Sequence, residues 1–420
     1  MPPIVIVAPE DSYRTAAFLR AAATLRAEVV VAGTVEHPLA ATNPDLRHLA
    51  VDLSDPADAA DRIAAAVPDA IAVLGIDDAG VLAANAAAKN LQLRHNPPAA
   101  VAATRNKVLM RTVLADSDID QPAFAVAGPG RVATLAAEIG FPTVIKPAEL
   151  SAGRGVIRAD NKAEAAAAEA RIRRILVEDC GDDSQDLLVE RFVAGAELAI
   201  EGLLGPNGLD VLAVIDKPEP SAGPHFAETF LITPSRLPAP VQAAAGRLVA
   251  QACDALGLAT GPIHAEARLG AAGEPILLEL AARSIGGLCS RALTFGMLGE
   301  SLEVLILRAA LDWEQTTSDP QRPATGVLML PIPSSGVFLE VEGVDRAQQV
   351  PGVDDLQITV SPGSEVQALP EGSRYLGFVF ASDETPEAVE RSLRQAAAEL
   401  TVVIDGEAVD PLIGQPWARD

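Results

Sequence analysis

Aromatic side chains are scarce in this chain, at 3% of 420 residues. Hydrophobic residues still reach 49%, much of it alanine. A chain of this length can bury a large core and should hold roughly two to four domains. Long apolar runs are missing: none approaches the ~18–20 residues of a membrane span. The start, MPPIVIVAPE, has no basic n-region or cleavage site, so no secretory signal is expected. The three cysteines, Cys180, Cys253 and Cys289, are far apart. They suit neither a disulfide framework nor zinc-ligand spacing. A cytoplasmic protein is expected. Positive charge is also in short supply. The net charge of −25 argues against nucleic acid or an anionic membrane as partner. It leaves room for an anionic small ligand where cations are concentrated. Lysine occurs only at Lys89, Lys107, Lys146, Lys162 and Lys217, so a lysine inside a strand is informative.

Residues 1–105 alternate strand and helix patterns: strands at 4–8, 28–33 and 70–75, helices at 12–25, 56–67 and 80–91. That order predicts an open parallel α/β sheet. The first strand–helix turn, APEDSYR, lacks G-x-G-x-x-G, which points away from a dinucleotide site. Asp77 or Asp78 reads as a helix cap. Pro97 and Pro98 end this unit, and a helix carrying Arg105, Lys107 and Arg111 follows. Its basic face could meet a phosphate or simply be solvated.

The stretch GFPTVIKPAELSAGRGVIRAD places Lys146 on a short strand just before a loop with Ser151, Ala152, Gly153, Arg154 and Gly155. Backbone N–H groups in such a loop can wrap phosphates, although a plain hairpin turn reads the same way. This is not the P-loop, whose lysine follows the glycines. Two strands follow over 186–204. Glu190 ends the first, Arg191, Phe192 and Val193 form a link, and Glu197 and Glu201 alternate on the second. The link could present its backbone to an adenine edge; a solvated strand face explains the two carboxylates equally well. Residues 211–235 pass from a strand into a proline-rich loop with Lys217, His225 and Glu228, a natural lid or substrate wall. The helix 239–257 reads as structural, with Cys253 in its core face.

The most informative stretch is HAEARLGAAGEPILLELAARSIGG, residues 264–287. It reads as two strands about a turn centred on 271–274, with Gly273 as the permissive residue. That folding sets Glu266 opposite Glu279. Opposed carboxylates on neighbouring strands repel, and in an apolar run they need a cation between them. Mg²⁺ suits such an all-oxygen site and shares it with phosphates. The plainer alternative is one exposed and one salt-bridged glutamate. Arg283 adds a cation, and Gly286 and Gly287 let backbone approach a ligand. An apolar helix over 300–312, a linker over 315–324 and a strand-rich unit over 325–420 complete the chain. That last unit has few convergent polar residues.

Taken in order, Lys107, Lys146, the SAGRG loop, Glu190, Glu197, Glu266, Glu279 and Arg283 resemble the ATP-grasp superfamily over about residues 1–310. Three features resemble the dipeptide-forming L-amino-acid ligases within it: ELAARSIGG, the DKP…HFAE loop (Asp216, Lys217, Pro218, His225, Phe226, Glu228), and a β-rich C-terminal unit. The resemblance implies an α/β and α+β chain with the ATP-grasp fold. It would have an N-terminal open parallel α/β (pre-ATP-grasp) domain over 1–105, grasp subdomains over 106–190 and 191–314, and a C-terminal β-rich cap over 315–420. It implies ATP and Mg²⁺ (or Mn²⁺) as cofactors, with Glu266 and Glu279 as metal ligands. Lys107, Lys146 and the Ser151–Gly155 loop would meet phosphates. Glu190, Arg191, Phe192, Val193 and Leu278 would line the adenine pocket, and Glu197 would hold the ribose. Lys217, His225, Glu228, Gly286 and Gly287 would line the substrate side. Many relatives carry E-x-N on the second metal strand; here it is Glu279-Leu280-Ala281, so a third ligand is missing.

The implied chemistry is amide formation. A carboxylate attacks the γ-phosphate, and an amine, expected to belong to an amino acid, then displaces phosphate. Arg283 steadies the transferring group. The expected partners are small carboxylates and amines, without nucleic acid or membrane, and a homodimer is compatible with this picture. Rival readings are a grasp ligase or carboxylase acting on non-amino-acid carboxylates, and a non-catalytic ATP-binding regulator.

Overall fold

A computed structural model describes residues 2–34, 46–218, 222–295, 299–313 and 323–412. Most of the expected linker, and residues 219–221 of the proline-rich loop, lie outside them. Among the described residues the strands form four sheets.

The N-terminal sheet is wholly parallel, in the order Arg47–Ala50, Val29–Gly33, Ile4–Val7, Ala72–Gly75. Its central strand, IVIV, is buried along its whole length, as expected of a parallel strand covered on both faces. The expected helices stand at Thr15–Thr24, Pro56–Ala66 and Val81–Asn90. The strand Arg47–Ala50 was not expected; it has little apolar pattern and is partly exposed. Nor does either aspartate cap the third helix, whose N-cap is Gly80 with no side-chain bond.

A second, antiparallel sheet runs Phe124–Ala127, Leu187–Arg191, Thr143–Pro147, Ile157–Ala159. The helices Val132–Ile139 and Lys162–Cys180 close its back. The largest sheet is antiparallel and eight-stranded. It runs Pro275–Ala281, Gly261–Leu269, Glu197–Gly205, Gly208–Lys217, Phe230–Thr233, Ala324–Leu330, Gly377–Asp383, Val353–Ile358. The C-terminal segment is therefore tied to the preceding one through the pairing of Phe230–Thr233 with Ala324–Leu330. A small fourth sheet is built around Gly336–Glu342 and Thr401–Ile404, and the helix Pro386–Ala398 packs into the same C-terminal core.

Period-two alternation decides what each face of the large sheet does. Leu198, Ile200, Val214, Ala265, Ala267 and Leu280 point to the back. There they meet Leu248, Val249, Ala252 and Cys253 of the helix Ala239–Leu256, with Met110 and Leu114 beside them. Each fully buried leucine or isoleucine contributes roughly 1.5–3 kcal/mol. The alternate positions, Glu197, Glu201, His264, Glu266, Arg268 and Glu279, are left for the front. No helix among the described residues is long and apolar enough to cross a membrane.

Candidate functional site

The front of the large sheet forms one wall of a cavity of about 420 Å³. The second sheet, the N-terminal loops and the segment Ser373–Tyr375 supply the other walls. The hairpin register sets Glu266 against Glu279, as the folding of that stretch predicts. The turn closes where Gly270 N–H bonds to Glu274 O and Gly273 takes a φ of 85°. One feature was not legible: the pairing slips by one residue after Glu266, so that Leu278 is extra on its strand. Such a bulge bends the strand, and here the freed Leu278 carbonyl accepts from Arg111 at 2.6 Å.

Rows of directly opposed residues cross the front face. Lys217, Glu197 and Arg268 form one row, and Glu201 and His264 another. Glu266 faces Ala199 on its other side, and that short side chain leaves space in the row. Lys217 Nζ is buried in the gap, 2.8 Å from Glu197 Oε1 and 2.7 Å from Glu266 Oε1, and it also donates to Glu228. The carboxylate oxygens of Glu197, Glu228 and Glu266 lie within 4.8 Å of one another. Burial pushes the Glu228 carboxyl up to about 7 against the pull of Lys217. Burial acts the same way on Glu266, but Lys217 and His264 outweigh it and hold Glu266 well below the usual range. His264 is bonded to Glu201 through Nδ1, with Nε2 3.6 Å from Glu266. Burial would lower its pKa, but Glu201 raises it to about 9. Glu201 also accepts from Ile285 N–H at 3.1 Å, tying this row to the loop after Arg283.

The remaining cations arrive from three elements. Lys107 begins the helix Lys107–Ala115, capped by Asn106. Its Nζ donates to Leu150 O at 2.6 Å and stands 3.6 Å from Glu279. Lys146 projects from its strand and pairs with Glu190 at 2.6 Å. Arg283 follows the second strand of the hairpin and lines the cavity, forked on Asp78.

Of the expected residues, Lys107, Lys146, Ser151, Ala152, Gly153, Glu190, Arg191, Phe192, Val193, Glu197, Glu228, Glu266, Leu278, Glu279, Arg283, Gly286 and Gly287 line this cavity. Others stand differently. Gly155 N–H is bonded to Pro370 O at 2.8 Å. Arg154 pairs with Asp179 and donates to Glu371 O, so the second half of the glycine loop is held by the C-terminal segment. His225 lies off the cavity lining, with Nε2 3.5 Å from Arg171. Lys217 is sealed beneath the carboxylates instead of facing a substrate. Arg105, Lys107 and Arg111 do not share a basic face: Arg105 ends the preceding helix, and Arg111 is fully buried against Glu190. Burial favours protonation of Glu190, but Arg111 and Lys146 hold it down at about 2. In the expected adenine link, Phe192 N–H already bonds Pro142 O and Val193 O accepts from Arg268. Glu197 is engaged by Lys217 and Arg268 rather than solvated.

Sequence reasoning missed Asp78, His264, Arg268 and Tyr375. His264 and Arg268 alternate with Glu266 on one strand, a signal that was present. Asp77 and Asp78 follow the carboxyl end of a parallel strand, where ligands gather in open α/β sheets.

Loss of one charge-assisted contact costs about 1.5–3 kcal/mol. Lys146→Ala is therefore expected to weaken binding of an ATP analogue by about ten-fold or more in calorimetry. Glu190 keeps Arg111 as a partner, so the fold should survive. Unchanged affinity would take Lys146 out of the nucleotide site.

An ATP-grasp domain model matches residues 139–292, and a model of the L-amino acid ligase C-terminal domain 2 matches residues 328–405. An uncharacterized protein of Sinorhizobium fredii, y4rH, is 27% identical over 317 residues; the match covers 74% of this chain and 64% of that protein. The structure is similar to the L-amino acid ligase from Bacillus licheniformis, with a TM-score of 0.79 and 24% identity over 96% of this chain and 99% of that one. It is also similar to a carboxyaminoimidazole ribonucleotide synthase from Aspergillus clavatus complexed with ATP, with a TM-score of 0.72 and 15% identity over 94% of this chain and 97% of that one. The chain has the ATP-grasp fold with an N-terminal parallel sheet. It carries an ATP-grasp domain match over residues 139–292 and resembles the L-amino acid ligases.

Proposed function

We propose that this chain is an ATP-dependent carboxylate–amine ligase that forms an amide bond through an acyl phosphate, releases ADP and phosphate, and takes an amino acid as one substrate. The observation that carries this reading is convergence. Two lysines, two facing carboxylates and an arginine, from one helix, three strands and the loop after the last of them, meet on one cavity. The match of the C-terminal segment to the L-amino acid ligase domain supports an amine as acceptor.

In this reading Lys107 and Lys146 bind phosphate oxygens, and Arg283 binds the transferring phosphoryl group or the acyl oxygen. A planar guanidinium suits two oxygens at once. The walls supplied by Phe226 and Tyr375 keep water from the acyl phosphate, which would otherwise hydrolyse. Gly286 adds no bulk and has open space where a side chain would stand, which leaves room for a substrate side chain, whereas Gly287 packs against Phe378. Glu228 is turned to Lys217, so its contribution is to complete the acidic cluster.

The donor set fits Mg²⁺ or Mn²⁺: it is oxygen only, and Glu266 is held in its charged form. Lys217 and His264 both approach Oε1 of Glu266, so its other oxygen has neither of those partners. Glu266 and Glu279 would hold the ion, which when bound would neutralise phosphate charge. Glu279→Gln is expected to raise the Mg²⁺ concentration for half-maximal turnover by about ten-fold or more. An unaltered Mg²⁺ requirement would remove Glu279 from the metal site. The reading as a whole is tested by a phosphate-release screen over pairs of amino acids and small carboxylic acids. Release that depends on both a carboxylate and an amine supports it; release with a carboxylate alone or with neither would not.

A further inference from the structure

We infer that Asp78, on a loop of the N-terminal sheet, is a positioning residue for Arg283, fixing the guanidinium so that its remaining N–H groups serve the reacting oxygens. The inference rests on the role proposed above for Arg283.

A guanidinium has five N–H donors. Arg283 spends Nε and one hydrogen of Nη2 on the two oxygens of Asp78, at 2.9 Å each. Nη1 donates to Ser284 O at 3.1 Å. One N–H is left on each terminal nitrogen, and Arg283 lines the cavity. Two donors on neighbouring nitrogens match two oxygens of a carboxylate or phosphoryl group. A free arginine would have to find that orientation among many rotamers; a forked one starts in it.

The clamp is itself well held. Asp78 also receives Arg105 at 2.9 Å. Burial would raise its pKa, but Arg283, then Arg105 and Lys107, keep it well below the usual carboxylate range. Its loop is pinned to the sheet, with Ile76 N–H on Val7 O at 3.2 Å. A Cβ at Gly80 would fall 2.4 Å from that carbonyl oxygen, so only glycine lets the helix start so close. The fully buried Arg14 bonds both Ile76 O and Ser284. It joins the Asp78 loop to the Arg283 loop, two segments 205 residues apart in sequence. The N-terminal sheet, which offers no dinucleotide motif, thus reaches the chemistry through one carboxylate.

The test is a double-mutant cycle of Asp78→Asn and Arg283→Lys, read as ADP release with Mg²⁺–ATP and the best substrate pair. Melting temperatures are measured first to select conditions in which all four proteins are folded. Asp78→Asn alone should lower kcat about 10–100-fold, the range for residues that orient a functional group. The KM for ATP should hold within about two-fold. In the Arg283→Lys background Asp78→Asn should add less than about two-fold, because its route of action is already gone. A crystal structure of the Asp78→Asn protein gives a readout independent of turnover. Arg283 should leave its place while Lys146, Glu266 and Glu279 keep theirs. Effects that multiply in the cycle, or an Arg283 that stays put in the variant crystal, would overturn the inference. If the wild type accepts no amino-acid pair, the proposed function fails on that result alone, and the variant crystal still decides the role of Asp78.

Discussion

Arg283→Ala is expected to lower kcat by about 10²–10³-fold, the loss that follows removal of one preorganised donor to developing charge. Affinity for a non-hydrolysable ATP analogue should change little in the same protein. The split follows from the proposed roles. Lys107 and Lys146 would bind phosphate oxygens of the bound nucleotide, whereas Arg283, forked on Asp78, would meet the group in transfer. A group that engages charge formed during transfer shows in kcat; one that holds bound nucleotide shows in affinity. Arg283→Lys retains the charge but not the planar fork, and should recover only part of the rate. A variant that kept the wild-type kcat would show that Arg283 serves only to hold Asp78.

The second large effect concerns stability. Lys217→Met is expected to destabilise the fold by about 3–5 kcal/mol, the range for a buried charge cluster that loses one partner. Without the ammonium, Glu197, Glu228 and Glu266 would be like charges within 4.8 Å. Glu228 already stands at about 7 with Lys217 in place, because burial favours its neutral form. Removing the cation should raise the pKa of the cluster further. A carboxylate with a raised folded pKa stabilises the fold when protonated and loses that contribution as pH rises through the folded value. The gap between Lys217→Met and wild type should therefore be widest above pH 7 and narrow between about pH 7 and 5. Parallel melting curves at pH 8 and pH 5.5 check this. A deficit independent of pH would mean that Lys217 acts by packing alone.

What could be read in advance divides along physical lines. The alternating elements of residues 4–91 and the facing of Glu266 on Glu279 depend on local periodicity and one turn, and both stand in the structure. The bulge at Leu278 depends on Arg111, 167 residues away, and leaves no local mark. Asp78 looked like a cap because an aspartate beside a helix start usually is one. Its true partners are Arg105 and Arg283. Arg111 looked solvated because helix patterns do not show that Glu190 waits inside. A solvated strand face explained Glu197 and Glu201 as well as a ligand role did, because Lys217 and His264 arrive from neighbouring strands. Apart from the bulge, the missed facts are charges whose counter-charges lie on other elements of the chain.

The most direct test of the account follows the oxygen. The protein is incubated with ATP, Mg²⁺, an amine and the accepted carboxylate substrate labelled with ¹⁸O in its carboxyl group, and the released phosphate and nucleotide are analysed by mass spectrometry. An acyl phosphate carries one carboxylate oxygen onto phosphorus, so the account predicts ADP together with phosphate bearing one ¹⁸O. Labelled AMP with pyrophosphate, or ADP with unlabelled phosphate, would contradict it.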